Sequence, residues 1–260
     1  MLPVVLLTDF GLGDGYVGVM KGAIARISPE TRCLDLSHGI APQDIWAGRF
    51  CLLNAAPYFP SPSVFLGVVD PGVGSQRRGI AVAFQAGFFV GPDNGLVSGL
   101  LDLWGAIAAV ELTNPKYWRT TNPAEISQTF HGRDIFAPVA AHLSLGVPLE
   151  NLGTVIATDS LVRLAIPPHQ QMADRIIGTV QHIDHFGNLI TTIPHHLGGT
   201  GCLLIGDRPL PWAQTYSDVP PQSPCILRGS HGWLEISINQ GNAQQIFNIK
   251  RGQQIVLMRH

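Results

Sequence analysis

Charged side chains are scarce in this chain: Asp, Glu, Lys and Arg make up 13% of its 260 residues, against ~25% in an average soluble protein. Acidic and basic residues nearly cancel, 18 against 16, and no Lys/Arg run is longer than the pair Arg77-Arg78. The electrostatic footprint of a phosphate-backbone binder is missing, so nucleic acid is not an expected partner. Long apolar runs are missing as well. Asp102 and Glu111 bracket even the apolar stretch 103–110, well short of the ~20 residues that span a bilayer, and no membrane is expected. The opening Met1-Leu2-Pro3-Val4-Val5-Leu6-Leu7 has no basic start and breaks at Asp9, so it reads as a buried strand and not as a secretory leader. Cys33, Cys51, Cys202 and Cys225 are widely spaced without a C-x-x-C. That spacing leaves out zinc knuckles and dithiol motifs and fits buried thiols in a reducing cytosol. The expectation is a soluble, cytoplasmic protein.

What the chain does have is apolar surface and turns. Hydrophobic residues reach 45%, enough for a sizeable core, while 29 Gly and 20 Pro demand many specialised turns. Residues 4–7 and 63–69 read as buried strands, and 16–27 carries Val17, Met20, Ile24 and Ile27 at helical spacing. Residues 80–84 and 88–90 read as a hairpin around Gln85-Ala86-Gly87. Residues 107–112 read as another strand, and 134–143 as a helix with Pro138 in its first turn. Strand and helix in alternation mean α/β, and the hairpin makes the sheet mixed. Residues 147–173 contain Pro148, Pro167 and Pro168 and show no period, which suits a crossing segment with a boundary near 170. Beyond it only short strands are read, at 176–183, 188–193, 202–205, 225–228, 233–238 and 254–258. The predicted fold class is α/β: an N-terminal mixed α/β/α sheet domain over 1–165, then a small C-terminal all-β, barrel-like domain over 172–260.

Five polar or glycine-rich clusters follow strand ends, where α/β sheets bind ligands. Thr8-Asp9-Phe10-Gly11 precedes a helix but matches neither G-x-x-x-x-G-K-[ST] nor G-x-G-x-x-G. Asp9 there could accept from a ribose diol or simply cap a turn. Asp70 closes a buried strand and Arg77 follows seven residues on, near enough to pair with it in a site or as a structural ion pair. Gly91-Pro92-Asp93-Asn94-Gly95 reads as turn scaffold by composition. Thr129-Phe130-His131-Gly132-Arg133-Asp134 places a histidine and a glycine at a helix entry, where they can offer a titratable group and backbone donors or serve the structure alone. Asp184 and Asn188 flank a glycine turn and can fix an amino group and a heterocycle edge; Arg228-Gly229-Ser230-His231-Gly232 comes later. The pairs His182/His185 and His195/His196 lie in strand-rich sequence, where odd spacings point to opposite faces, so no metal is expected.

In order, T-D-F-G at 8–11, V-V-D-P-G-V-G at 68–74, G-P-D-N-G at 91–95, F-H-G-R-D-I-F-A-P at 130–138, I-D-x-F-G-N beginning at Ile183 and G-S-x-G-x-L-E-I at 229–236 resemble one family. It is the S-adenosylmethionine hydroxide adenosyltransferases, or SAM hydrolases, related to the SAM-dependent fluorinase and chlorinase. The resemblance spans nearly the whole chain. It implies an N-terminal α/β domain, a C-terminal β-barrel, and a homotrimer with active sites between subunits. It assigns catalysis to Asp70, Arg77 and His131, the ribose to Asp9, and the methionine end and adenine to Asp184 and Asn188. Ser230 matches the methionine-carboxylate serine, and Tyr216 matches by position the aromatic against adenine. Phe130, Gly132 and Ala243 complete the implied substrate-binding set. His231 departs from the arginine of the halogenase branch.

The implied reaction is in-line attack of water or hydroxide on the ribose C5′ of SAM, giving adenosine and methionine, with no metal or external cofactor. Because the sulfonium leaves as a neutral thioether, no acid is needed for it; the water is what must be oriented and relieved of a proton. A halide pocket would not tolerate Asp70: a carboxylate ~4 Å from a halide repels it by ~4 kcal/mol at an effective dielectric of ~20. Other readings are a SAM or adenosine sensor with little turnover, a halide-using adenosyltransferase, or a hydrolase for another nucleoside. The last finds no G-x-S-x-G and no Ser-His pairing here.

Overall fold

The computed structural model describes residues 1–198, 201–205 and 208–259, and the chain divides into compact units Met1–Leu164 and Ala165–His260. The first unit runs β1 (Val4–Thr8), α1 (Tyr16–Ile27), β2 (Cys33–Ser37), α2 (Ile45–Ala55), β3 (Ser63–Val68), β4 (Gly79–Phe84) and β5 (Gly87–Pro92). It continues with α3 (Ser98–Trp104), β6 (Ala108–Glu111), α4 (Ala137–Ser144) and β7 (Thr154–Ile156). Its seven strands lie in the order β2-β1-β3-β5-β4-β6-β7. β2, β1, β3 and β5 run parallel, while β4, β6 and β7 pair antiparallel, so the sheet is mixed. Parity along β1 divides the core. Val4 and Leu6 pack with Met20 and Ile24 of α1 and with α4, whereas Val5 and Leu7 pack with Leu52 of α2 and Leu100 of α3. A strand buried on both faces must read as the continuous apolar run seen at 4–7.

The second unit holds β8 (Gln170–Gln171), β9 (Arg175–Ile183), β10 (Leu189–Pro194), β11 (Gly201–Ile205) and β12 (Arg208–Leu210). Then come β13 (Pro224–Arg228), β14 (Trp233–Ile238), α5 (Ala243–Phe247) and β15 (Gln254–Arg259). The path β12-β11-β15-β9-β10-β14-β13, with β8 beside β9, is antiparallel. Its two ends meet where Trp212 bridges Ile226 of β13, so the sheet curls into a near-closed barrel around Ile176, Leu189, Ile226, Leu234 and Leu257.

Three local readings differ from the structure. Residues 147–173 are not merely a crossing segment: β7 lies within them and pairs with β6 of the first sheet. Its side chains are largely exposed, so no alternation marked it. The second unit is not strands alone, because Asn242 accepts from the Gln245 N–H and caps α5. Of the four cysteines only Cys225 is fully buried; all are free thiols. No helix among the described residues is long and apolar enough to cross a membrane.

Candidate active site

β1 and β3 are parallel neighbours with Thr8 opposite Val68, so Asp9 and Asp70 leave the same carboxyl edge of the sheet. Asp70 and Arg77 belong to the loop joining β3 to β4. The Arg77 Nε donates to both Asp70 oxygens at 3.0 and 3.1 Å, and Nη2 donates to Oδ2 at 2.6 Å. The Asp70 and Arg77 side chains are 5% and 11% exposed, respectively. The same Nη2 lies 2.8 Å from His131 Nδ1. A guanidinium only donates, so Nδ1 accepts and the neutral imidazole carries its proton on Nε2. Burial and the Arg77 charge push the His131 pKa below 6.5, against the opposing pull of Asp70 and Asp134. The result is a fixed chain: carboxylate, guanidinium, neutral imidazole. The guanidinium also lies over the Phe136 ring at 5.2 Å.

His131 stands at the head of a π-helical turn, Gly132–Phe136, that runs into α4 with Pro138 in its first turn. Such turns widen a helix where a side chain has to be re-aimed. Asp134 anchors this one from inside the core, fully buried and bonded to Arg119, Arg133 and the Ser127 N–H. Burial alone would raise its pKa, but these bonds dominate and hold it at about 2. On the opposite side Gly74 has φ of +76°, and a Cβ there would sit 2.3 Å from the Gln128 carbonyl oxygen. Glycine is therefore what lets the Asp70–Arg77 loop press against the strand of chain leading to His131.

The turn Pro92-Asp93-Asn94 grips both ends of that loop. Asn94 Nδ2 donates to the carbonyl of Val69, the residue before Asp70, at 2.8 Å. Asp93 accepts from Arg78, the residue after Arg77, at 2.9 and 2.5 Å, and its N–H donates to the Arg78 carbonyl. The sequence reading of this turn as scaffold is right as far as it goes; what it scaffolds is the Asp70/Arg77 loop.

Asp9 accepts from the Gln43 N–H at 2.7 Å, and Phe10 beside it meets Phe130 and Tyr16 edge to face at 5.9 Å each. Gly132 is buried, and a Cβ would crowd Met20 and Phe130. The other expected positions lie in the second unit. There a cavity of about 810 Å³ is lined by Asn188, Tyr216, Phe186, Asn242 and Gln245 among others. Asp184 braces Asn188, accepting from its amide at 2.9 Å and from its backbone N–H at 2.8 Å. Ala243 follows Asn242 but its side chain is wholly in the core, leaving its backbone as the part able to meet a ligand. Ser230 is exposed on the turn after β13.

The sequence reading assigns no role to Glu235, yet this carboxylate is 5% exposed and accepts from Tyr216 Oη at 2.8 Å, Ser237 Oγ at 2.7 Å and His231 Nε2 at 3.1 Å. Burial raises its pKa, but the three donors outweigh burial and the net shift is downward. It ties the Tyr216 turn to the turn that carries Ser230. An acid and a serine alternating with apolar residues in the run L-E-I-S-I were the available signal. Among the described residues no group of three or more His, Cys, Asp or Glu is arranged to hold a metal.

Comparison with known proteins identifies the family. The sequence profile of the SAM hydroxide adenosyltransferase N-terminal domain matches residues 4–153, and that of the C-terminal domain matches 178–256. The chain belongs to the SAM hydroxide adenosyltransferase family. A Salinispora arenicola (strain CNS-205) protein named (R)-S-adenosyl-L-methionine hydrolase is 41% identical, over 95% of this chain and 94% of its own. A fluorinase of Actinoplanes sp. (strain N902-109) is 28% identical over 96% and 95%. The crystal structure of an uncharacterized conserved protein from Thermotoga maritima superposes with a TM-score of 0.89 at 35% identity, covering 98% of this chain and all of that one.

Proposed function

We propose that this protein hydrolyses S-adenosyl-L-methionine to adenosine and L-methionine, the (R)-sulfonium epimer named for its relatives being the substrate. The observation that carries the reading is the Asp70–Arg77–His131 chain at the carboxyl edge of the first sheet. His131 Nε2–H donates to the oxygen of a bound water and aims its lone pair at C5′. Arg77 holds both neighbours, and the Asp70 carboxylate takes the proton the water sheds. The new O–C5′ bond forms as the C5′–S bond breaks, and the electron pair returns to sulfur, so methionine departs neutral without an acid. Asp9 is assigned to the ribose diol, with Phe130 and Gly132 beside it. Asn188 and the Ala243 backbone are assigned to adenine with Tyr216 against it, and Asp184 and Ser230 to the methionine end. SAM is substrate here, and the proposed chemistry uses no cofactor or metal. A homotrimer with active sites between subunits, working in the cytoplasm, completes the proposal.

An unpaired carboxylate would repel a dehydrated halide by ~4 kcal/mol at ~4 Å, but Arg77 bonded to both Asp70 oxygens offsets much of that charge; the product formed therefore decides between water and the fluorinase branch. Steady-state kinetics test the roles. Asp70→Asn and His131→Ala should each lower kcat by ~10²–10⁴-fold while KM moves little, because both groups act on the water and not on the bound substrate. A rise in KM with kcat intact would make them binding residues and sink the mechanism.

A further inference from the structure

A second cavity, about 390 Å³ in volume, lies wholly within the first unit between α1, the Trp118-Arg119 segment, the π-helical turn and α4. That size falls within the ~300–1,000 Å³ range of small-molecule sites. Arg26, Arg119, Arg133 and His142 stand on its wall, and no carboxylate does. In a chain with only 16 basic residues this is a marked concentration of positive charge. Behind the wall the buried Asp134 accepts from Arg119 Nε at 2.5 Å and from Arg133 Nε and Nη2 at 2.6 and 2.8 Å. One carboxylate against three guanidiniums leaves an excess of two positive charges, the charge of a phosphate monoester. Asp134 orients Arg119 and Arg133, and Arg119 Nη2 also donates to the Glu125 carbonyl at 3.0 Å, so the Nη1 groups are the main N–H donors left to meet an oxyanion. The rest of the wall is apolar, with Val19, Ala23, Ile27 and Pro138.

We propose that this cavity binds a small organic phosphate, its dianion held by Arg26, Arg119 and Arg133 and its organic body lying against Val19, Ala23 and Ile27. Occupancy bears on the hydrolytic site, because Arg133 also stacks on Phe130 at 5.3 Å and follows His131 by two residues on the same turn.

Titration calorimetry on the full chain at fixed ionic strength, without SAM, tests the site independently of the hydrolase reading. Phenyl phosphate and inorganic phosphate are the probes. Phenyl phosphate should saturate at one site per chain and bind more tightly than inorganic phosphate, since only it reaches the apolar wall. Arg26 makes no ion pair among the described residues, so Arg26→Ala should fold normally and weaken phenyl phosphate about tenfold, the worth of one charge-assisted hydrogen bond. Val19 is 44% exposed, and Val19→Glu would place a carboxylate on the wall and weaken both probes. Absence of saturation up to roughly 10 mM, or binding that both variants leave unchanged, overturns the proposal.

Discussion

Arg77 makes contacts that lysine could not reproduce: a forked pair of bonds to Asp70 and a further bond to His131 from one planar group. This geometry has a pH signature. Protonating His131 would put a hydrogen on Nδ1, facing the Arg77 donor, and break the chain. Burial and Arg77 lower the pKa from 6.5, so the neutral imidazole persists into mildly acid solution. The acid limb of kcat/KM should therefore have its midpoint below 6.5, with activity flat through neutrality; NMR titration of His131 should give the same value. A midpoint at or above 6.5 contradicts the assigned tautomer. Of these residues, the Asp70 and Arg77 pairing was legible from a seven-residue loop after a buried strand. The contact to His131, 54 residues beyond Arg77, needed the fold. Glu235 stayed hidden because, although His231 and Ser237 flank it in sequence, the bond from Tyr216 that gives it its role reaches across 19 residues.

At the scale of elements, the turn after β5 matters as much as the loop it holds. Asn94 uses its two ends differently: Oδ1 accepts from the Leu96 N–H, while Nδ2 donates to the buried Val69 carbonyl. Asn94→Asp keeps the first bond and loses the second, leaving a carboxylate facing a carbonyl. Its kcat should fall about tenfold, as far as in Asn94→Ala, with KM nearly unchanged, if the donated bond positions Asp70; an unpaired buried carbonyl costs ~1–3 kcal/mol. Full activity in Asn94→Asp would show that the turn merely connects strands. Elements with strong apolar periodicity, β1, β3, α1 and the β4–β5 hairpin, were readable from sequence. α2 was not, because Arg49 sits buried amid Phe50, Leu52 and Leu53 and pairs with Asp102, which blurs any polar face. β7 and α5 are short and owe their state to a neighbouring strand and to a cap.

At the scale of the molecule, each unit has its own core: the first fills both faces of its sheet, and the second fills a near-closed barrel. An excised 165–260 fragment should fold cooperatively by circular dichroism, as a domain with its own core does; a featureless, non-cooperative melt would contradict that independence. The proposed trimer predicts a light-scattering mass of three 28.0 kDa chains, and a monomer that retains full turnover would remove the need for sites between subunits. The two-part plan was legible as a change from alternating strand and helix to short strands. The first domain reads as 1–165 and the first compact unit ends at Leu164; the second reads only from 172, because residues 147–173 carry little periodicity.

The most direct measurement is mass spectrometry of the product formed from S-adenosylmethionine in chloride buffer made with ¹⁸O-labelled water, beside Asp70→Asn and His131→Ala. Adenosine carrying ¹⁸O at its 5′ oxygen, abundant with the parent protein and scarce with both variants, is the predicted result. 5′-Chloroadenosine, unlabelled adenosine, or equal yields from parent and variants would contradict water activation by the Asp70–Arg77–His131 chain.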